Sequence, residues 1–176
     1  WQKFATLRLL LAYQWTRPGK ILDFMGTELA PRSEWNHDRS LDWHLASDPL
    51  RAGLMRFLGE LGRTYHGEPA LWRWDHDPAG FRWIDCADRE QSVVSYLRTD
   101  GDAHVLVVLN LTPVPRDAYR IGAPTPARHR LRLSSDAPAL RNEYSVLRID
   151  PNRFEGRINA KAAQRFEAFL VDPDTQ

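Results

Sequence analysis

Only one cysteine, Cys86, stands in the 176 residues, so no disulfide can form within the chain, and a single thiol fits a reducing cytosol. Neither sign of charge is in excess: 24 Lys and Arg face 23 Asp and Glu. That balance gives no global basic field of the kind non-specific nucleic-acid binding needs, so we expect no nucleic-acid partner. No apolar run approaches the ~20 residues of a membrane helix. The run at 105–109 is strand-length, and nothing reads as a signal peptide. We therefore expect no membrane partner and a cytoplasmic location. Nucleophile elbow, P-loop and dinucleotide fingerprint are all missing, as are internal repeats and low-complexity stretches. No cofactor is expected. An initiator Met is missing too: Trp1-Gln2-Lys3-Phe4 enters a helical pattern at once, which reads as a fragment of a longer chain.

Tryptophan is abundant. Seven of them stand beside charged and polar neighbours, as in Glu34-Trp35-Asn36 and Asp42-Trp43-His44. Aromatic faces fill cores, and they also stack on the apolar faces of sugar rings. The ordinary reading puts most of them in the core.

The chain opens with Phe4, Leu7, Leu10, Leu11 and Tyr13 to Trp15 near a helical stripe, stopped at Thr16-Arg17-Pro18-Gly19. The apolar run 20–25 then predicts a short buried strand. A second helix is predicted from the N-cap Asp48 and Pro49, with Leu50, Leu54, Phe57, Leu58, Leu61 and Tyr65 on one face. Gly53, Gly59 and Gly62 weaken it by about 1 kcal/mol each relative to Ala, and close approach to a sheet would explain them. Gly67 and Pro69 end it. Strand-like runs follow at 81–85, 92–99, 104–111, 119–121 and 131–133, with turns at Asp88 and Asp100-Gly101-Asp102. The run 105–109 is apolar at both strand faces and predicts a central, doubly covered strand. Further on, 144–149 suggests a strand and 160–170 a helix carrying Phe166, Phe169 and Leu170.

Helix, short strand, long loop, helix, then strands suggest an α+β fragment: the last β/α repeat of a (β/α)8 barrel followed by an all-β sandwich domain. In such barrels the active site lies at the C-terminal strand ends, where the loop 26–48 would emerge. That loop exceeds the usual ~12–15 residues for a connection without regular structure, a sign of function or disorder, and its Trp and Leu content opposes disorder. Glu28, Glu34, Asp38 and Asp42 could supply the carboxylate pair that glycosyl transfer needs, although charged loops are normally just solvated. His37, Asp38, Asp42 and His44 match no structural zinc spacing, so no metal site is expected.

Trp1-Gln2-Lys3-Phe4-Ala5, Leu7-Arg8-Leu9-Leu10, Pro18-Gly19-Lys20 and Phe24-Met25-Gly26-Thr27-Glu28-Leu29 resemble the late barrel of bacterial glycogen branching enzymes. The strongest match is Glu34-Trp35-Asn36-His37-Asp38 with Ser40-Leu41-Asp42-Trp43. Glu68-Pro69-Ala70-Leu71, Gly80-Phe81-Arg82-Trp83-Ile84-Asp85, Ser92-Val93, Asn110-Leu111-Thr112-Pro113 and Tyr119-Arg120-Ile121-Gly122 extend it, over about residues 1–138. The resemblance implies the α-amylase superfamily, a catalytic barrel and an all-β C-terminal domain. It implies an enzyme that cuts an α-1,4 glucan, holds the donor covalently on an Asp, and transfers it to a 6-hydroxyl to make an α-1,6 branch. It places that family's Asp nucleophile, Glu acid/base and Asp stabiliser upstream of the region matching Trp1, so no catalytic residue is assigned in this chain. Partners implied are α-1,4-glucan or glycogen and the rest of the barrel.

The resulting expectations are a barrel end over 1–68, an all-β domain over 69–138 and a divergent tail over 139–176. In that tail the Gly-rich stretch and the Leu- and Pro-rich closing strand of the family pattern do not appear. Glu34, Trp35, Asn36 and Trp43 are the expected substrate-binding residues. The competing reading has Trp35 and Trp43 pinning the loop to the barrel rim. Two other readings stay open: a non-catalytic α-glucan-binding module using Trp72, Trp74 or Trp83, and a trehalose-releasing or debranching member of the same superfamily.

Overall fold

The computed structural model describes residues 1–116, 119–124 and 129–135, together with the backbone of 167–173. The expected strand at 144–149 and the expected helical stretch at 160–166 lie outside the described residues.

Helix α1 (Gln2–Thr16) ends where Arg17, directly before Pro18, is forced into extended geometry at φ −76° and ψ 150°. Its buried positions are Ala5, Arg8, Leu9, Leu11, Ala12 and Thr16. This is not the stripe the sequence suggests, because Leu10 is left exposed while Arg8 and Thr16 go inside. Burial of those polar groups is possible because each is bonded: the Arg8 Nε donates to the Ser135 carbonyl at 2.8 Å, and the Thr16 hydroxyl to that of Ala12 at 2.7 Å. A helix apolar on nearly all sides is a helix with a second face to cover.

The short strand expected over 20–25 is not formed. This segment has no strand pairing, and Leu22, Phe24 and Met25 are solvent-exposed. A strand needs a neighbour to satisfy its N–H and C=O groups, and among the described residues no strand runs beside it.

Helix α2 (Pro49–Gly67) starts as its sequence requires. The Asp48 Oδ1 accepts from the Leu50 and Arg51 N–H groups at 3.0 and 3.1 Å, and Pro49 takes the first helical position. Leu54, Phe57 and Leu61 are fully buried on its inner face. Its glycines do not mark an approach to the sheet. A Cβ on Gly62 would meet the Trp15 ring of α1 at 3.6 Å, while Gly53 and Gly59 have only arginine tips nearby.

Turns at Pro69–Leu71 and Pro78–Gly80 lead into strands β1 (Phe81–Asp85), β2 (Val93–Thr99), β3 (His104–Asn110), β4 (His129–Ser134) and β5 (Glu167–Pro173). They form one antiparallel sheet in the order β1-β2-β3-β5-β4. Of 119–121, only Tyr119 makes a strand-like bridge. β3 is the doubly covered central strand. Val105, Val107 and Leu109 point into the core shared with Leu9, Leu11, Leu54, Phe57 and Leu61, whereas Leu106 and Val108 pack with Val93 under Ile84, Tyr119, Ile121 and Leu131. Each such side chain contributes about 1.5–3 kcal/mol on burial.

Strand β5 corrects the expected helix, since 167–170 are extended backbone paired with Val107–Asn110 on one side, and Phe169 and Leu170 pair with Ser134 and Leu133 on the other. Pairing with two neighbours outweighs an Ala-rich local preference for helix. The tail thereby supplies a closing strand between β3 and β4, although it lacks the Leu- and Pro-rich sequence by which the family pattern marks one.

Helices and sheet are fastened by buried polar groups as well as by apolar packing. The Arg98 guanidinium, wholly buried, donates to the carbonyls of Thr16 (2.8 Å) and Gly80 (3.2 Å) and pairs with Asp75. Beside it the Tyr96 and Thr16 hydroxyls share a hydrogen bond, and burial pushes the Tyr96 phenol well above its ordinary pKa range. Arg132 of β4 pairs with Glu68 at the end of α2 at 2.8 Å.

Candidate functional site

The segment 26–48 is built as a loop with two fixed ends and a solvated middle. At its start the chain turns sharply: Gly26 has φ +84° and Ala30 φ +44°, both left-handed, around the short turn Thr27–Leu29. The Thr27 hydroxyl donates to the Phe24 carbonyl at 2.6 Å, and Leu29 is buried. A side chain on Gly26 would meet Leu41 at 3.2 Å, so the missing Cβ lets the far part of the loop fold back over its beginning. At its end, Asp48 is held as the cap of α2.

Between these ends residues 31–40 are all exposed. Local bonds shape them. The Asn36 Oδ1 accepts from the Asp38 N–H at 2.8 Å, an Asx turn, and its carbonyl accepts from the Arg39 N–H at 3.3 Å. The Ser33 hydroxyl donates to Asp42 across 3.4 Å. The result is a shallow hollow lined by Met25, Glu34, Trp35, Asn36, Arg39 and Asp42 among others. The Trp35 indole meets Phe24 edge to face at 5.4 Å and leans toward His37 at 6.2 Å, and it remains 45% exposed.

Of the four residues expected to touch substrate, the structure brings Glu34, Trp35 and Asn36 to one hollow. Trp43 does not line it: it opens the turn Trp43–Ser47 and is 57% exposed. Arg39, which the sequence reading did not single out, also lines the hollow, and only its place three residues after the Asx-turn Asn36 could have marked it. None of the seven tryptophans is fully buried, against the ordinary reading of them as core. Trp74 is the most structural of those in the β region, because its ring and backbone occupy the space that side chains on Gly80 and Gly101 would need.

The chemistry of the hollow is that of a polar rim around one open aromatic face: two carboxylates, an amide and a guanidinium for hydroxyl groups, and an indole for an apolar ring face. The nearby Asp23 accepts from the Trp15 indole N–H at 3.1 Å. Burial nevertheless pushes its carboxyl above the ordinary range, with Glu28 adding to the rise. His37 and Asp38 approach to 3.3 Å, and among the described residues no three His, Cys, Asp or Glu side chains converge as a metal site would require.

The family described as the alpha amylase C-terminal all-beta domain matches residues 83–166. The 1,4-alpha-glucan branching enzyme GlgB of Cereibacter sphaeroides is 54% identical over 138 residues, covering 78% of this chain and 19% of that protein. The corresponding enzyme of Paramagnetospirillum magneticum is 50% identical over 139 residues, with the same coverages of 78% and 19%. This chain belongs to the 1,4-alpha-glucan branching enzyme family. It spans about a fifth of the length of those relatives. The fold also matches known structures: an alpha-amylase from Geobacillus thermoleovorans superposes with a TM-score of 0.64 at 16% identity, covering 98% of this chain and 34% of that one. An Anoxybacillus alpha-amylase gives 0.62 at 17% identity, covering 98% and 33%. The sheet is thus of the alpha amylase C-terminal all-beta type, and the fold is like that of these alpha-amylases. Among the described residues no helix is long and apolar enough to cross a membrane.

Proposed function

We propose that this chain is part of a 1,4-α-glucan branching enzyme that makes α-1,6 branches in glycogen by glucan chain transfer, and that its loop 26–48 contacts the glucan. One observation carries the loop assignment: Trp35 is held edge-on by Phe24 with an open face, and Glu34 and Asn36 line the same hollow. Trp43 stands on the following turn, where a longer glucan would reach it. The catalytic carboxylates belong to the rest of the barrel, and neither Glu28 nor Glu34 takes their role. In this reading α1, the segment 18–25, the loop and α2 are the last barrel repeat, over 1–68. The all-β domain follows over 69–138, and 139–176 is the divergent tail. The exposed Leu10, Leu22, Phe24 and Met25 support that reading, as an adjoining barrel would cover them and give 20–25 a partner strand.

The test is a maltoheptaose titration of the chain followed by tryptophan fluorescence, with Trp35→Ala beside it. Expected is a saturable change that Trp35→Ala weakens at least about tenfold, with a melting free energy altered by less than about 0.5 kcal/mol, as for an exposed residue. Retained binding with a lowered melting temperature would mean that Trp35 pins the loop instead.

A second reading, a non-catalytic α-glucan module, is favoured by one observation. Trp83, on edge strand β1, is 40% exposed and fixed between the edges of Phe81 and Tyr96 with Arg17 over its ring at 5.1 Å. Binding that survives Trp35→Ala and disappears in Trp83→Ala would select it.

A further inference from the structure

We infer that Arg51 is a positioning residue that fastens both ends of the loop 26–48, an inference that rests on reading this loop as the glucan contact. The side chain leaves the first turn of α2 and is almost buried, 12% exposed. Its Nε donates to the Leu29 carbonyl at 2.9 Å and its Nη2 reaches that of Ala30 at 3.5 Å. Those carbonyls belong to the left-handed turn from which the exposed stretch 31–40 departs. Its Nη1 lies 3.6 Å from Asp48, the residue at which the loop ends. The guanidinium also lies over the Phe4 ring of α1, 5.8 Å from its centre.

One planar group therefore joins the departure point of the loop, its return point and both helices. Arginine suits this task through its shape. Its donors form a rigid fork that can serve separate acceptors at once, whereas a lysine ammonium is a single point on a flexible stem. Other restraints act on single points of the loop. Leu41 rests on Gly26, Phe24 meets the Trp35 ring and accepts from Thr27, and bonds such as those of Asn36 to Asp38 and Arg39 and of Ser33 to Asp42 run within the loop itself. Loss of the fork frees the path by which Trp35 is presented, while the buried Leu29, Leu54 and Phe57 keep the helices packed.

The experiment compares the full chain with Arg51→Lys and Arg51→Ala by amide hydrogen exchange, with maltoheptaose titration of the same samples. In Arg51→Lys the hydrogen-bonded loop amides of Asp38, Arg39, Trp43, Leu45 and Asp48 should exchange roughly tenfold faster, with α2 and the sheet unchanged, and maltoheptaose should bind roughly tenfold more weakly. Arg51→Ala should show the same pattern, larger. Loop exchange unchanged in both variants overturns the inference. So does an equal acceleration in loop, α2 and sheet, which would make Arg51 a general support of the fold. Faster loop exchange in a chain whose native form binds no maltoheptaose would uphold the tether and overturn the glucan reading.

Discussion

Arg98 shows what a single buried charge asks of its surroundings. Its guanidinium is out of water, and acceptors from three separate stretches, Thr16, Asp75 and Gly80, replace the solvent. Removing one partner leaves the charge uncompensated, which costs more than the pair itself contributes. Asp75→Ala should therefore destabilise the chain by about 3 kcal/mol in a denaturant titration. Tyr96→Phe should cost only about 1 kcal/mol, because the Thr16 hydroxyl keeps the Ala12 carbonyl as its partner. At this scale the sequence was only partly legible. Asp48 and Pro49 declare a helix start through local chemistry, and the structure uses both. Glu34, Trp35 and Asn36 declare a polar, aromatic loop. Arg98 and Arg51 read as ordinary strand and helix arginines, since their acceptors lie 82 and 22 residues away.

Among elements, β3 and β5 make opposite cases. The apolar run of β3 announces burial on both faces, and both faces are covered. β5 is announced by nothing of its own, because the Ala-rich stretch before it suggests a helix, and only the open edges of β3 and β4 decide the matter. The run 20–25 fails for the converse reason: its residues suit a strand, and no strand lies beside it. A chain ending at residue 166 should consequently expose the facing edges of β3 and β4 and lose cooperative unfolding, seen as a broadened thermal transition with aggregation. The loop between β1 and β2 carries a pH dependence. The Tyr119 hydroxyl donates to Asp88, and the Gln91 N–H helps it hold the carboxyl below its ordinary value of 3.8. Because the folded value lies below the unfolded one, this contribution is complete above about pH 4 and fades as pH falls through the folded value. Asp88→Asn should flatten that acid limb in melting temperatures measured from pH 2 to 7.

At the scale of the whole molecule, a well-filled core coexists with exposed apolar side chains. Leu10 of α1 and Leu22, Phe24 and Met25 after it are exposed, and so are Trp35 and Trp43. Exposed apolar side chains in such number drive association when their natural cover is missing. The isolated chain should self-associate at micromolar concentration, and Leu10→Lys with Leu22→Lys should shift it toward monomer in sedimentation velocity. Composition revealed that the chain could build a core, and the ordered motifs revealed the family, but the exposure of Leu10 appears only once α1 is seen to bury Arg8 and Thr16 in its place.

That choice by α1 also has a consequence in time. The carbonyl that receives the Arg8 Nε–H belongs to Ser135, 127 residues further along the chain, and the hydroxyl that meets Thr16 lies 80 residues away. A ribosome adding ~5–20 residues per second needs roughly 6–25 s to deliver Ser135 after Arg8. Until then the apolar residues of α1 lack the cover of the sheet and its arginine lacks its acceptor. This stretch of the nascent chain is therefore at its stickiest between the synthesis of α1 and that of Ser135, and a codon change that slows synthesis between residues 16 and 135 would prolong that exposure without altering a single side chain.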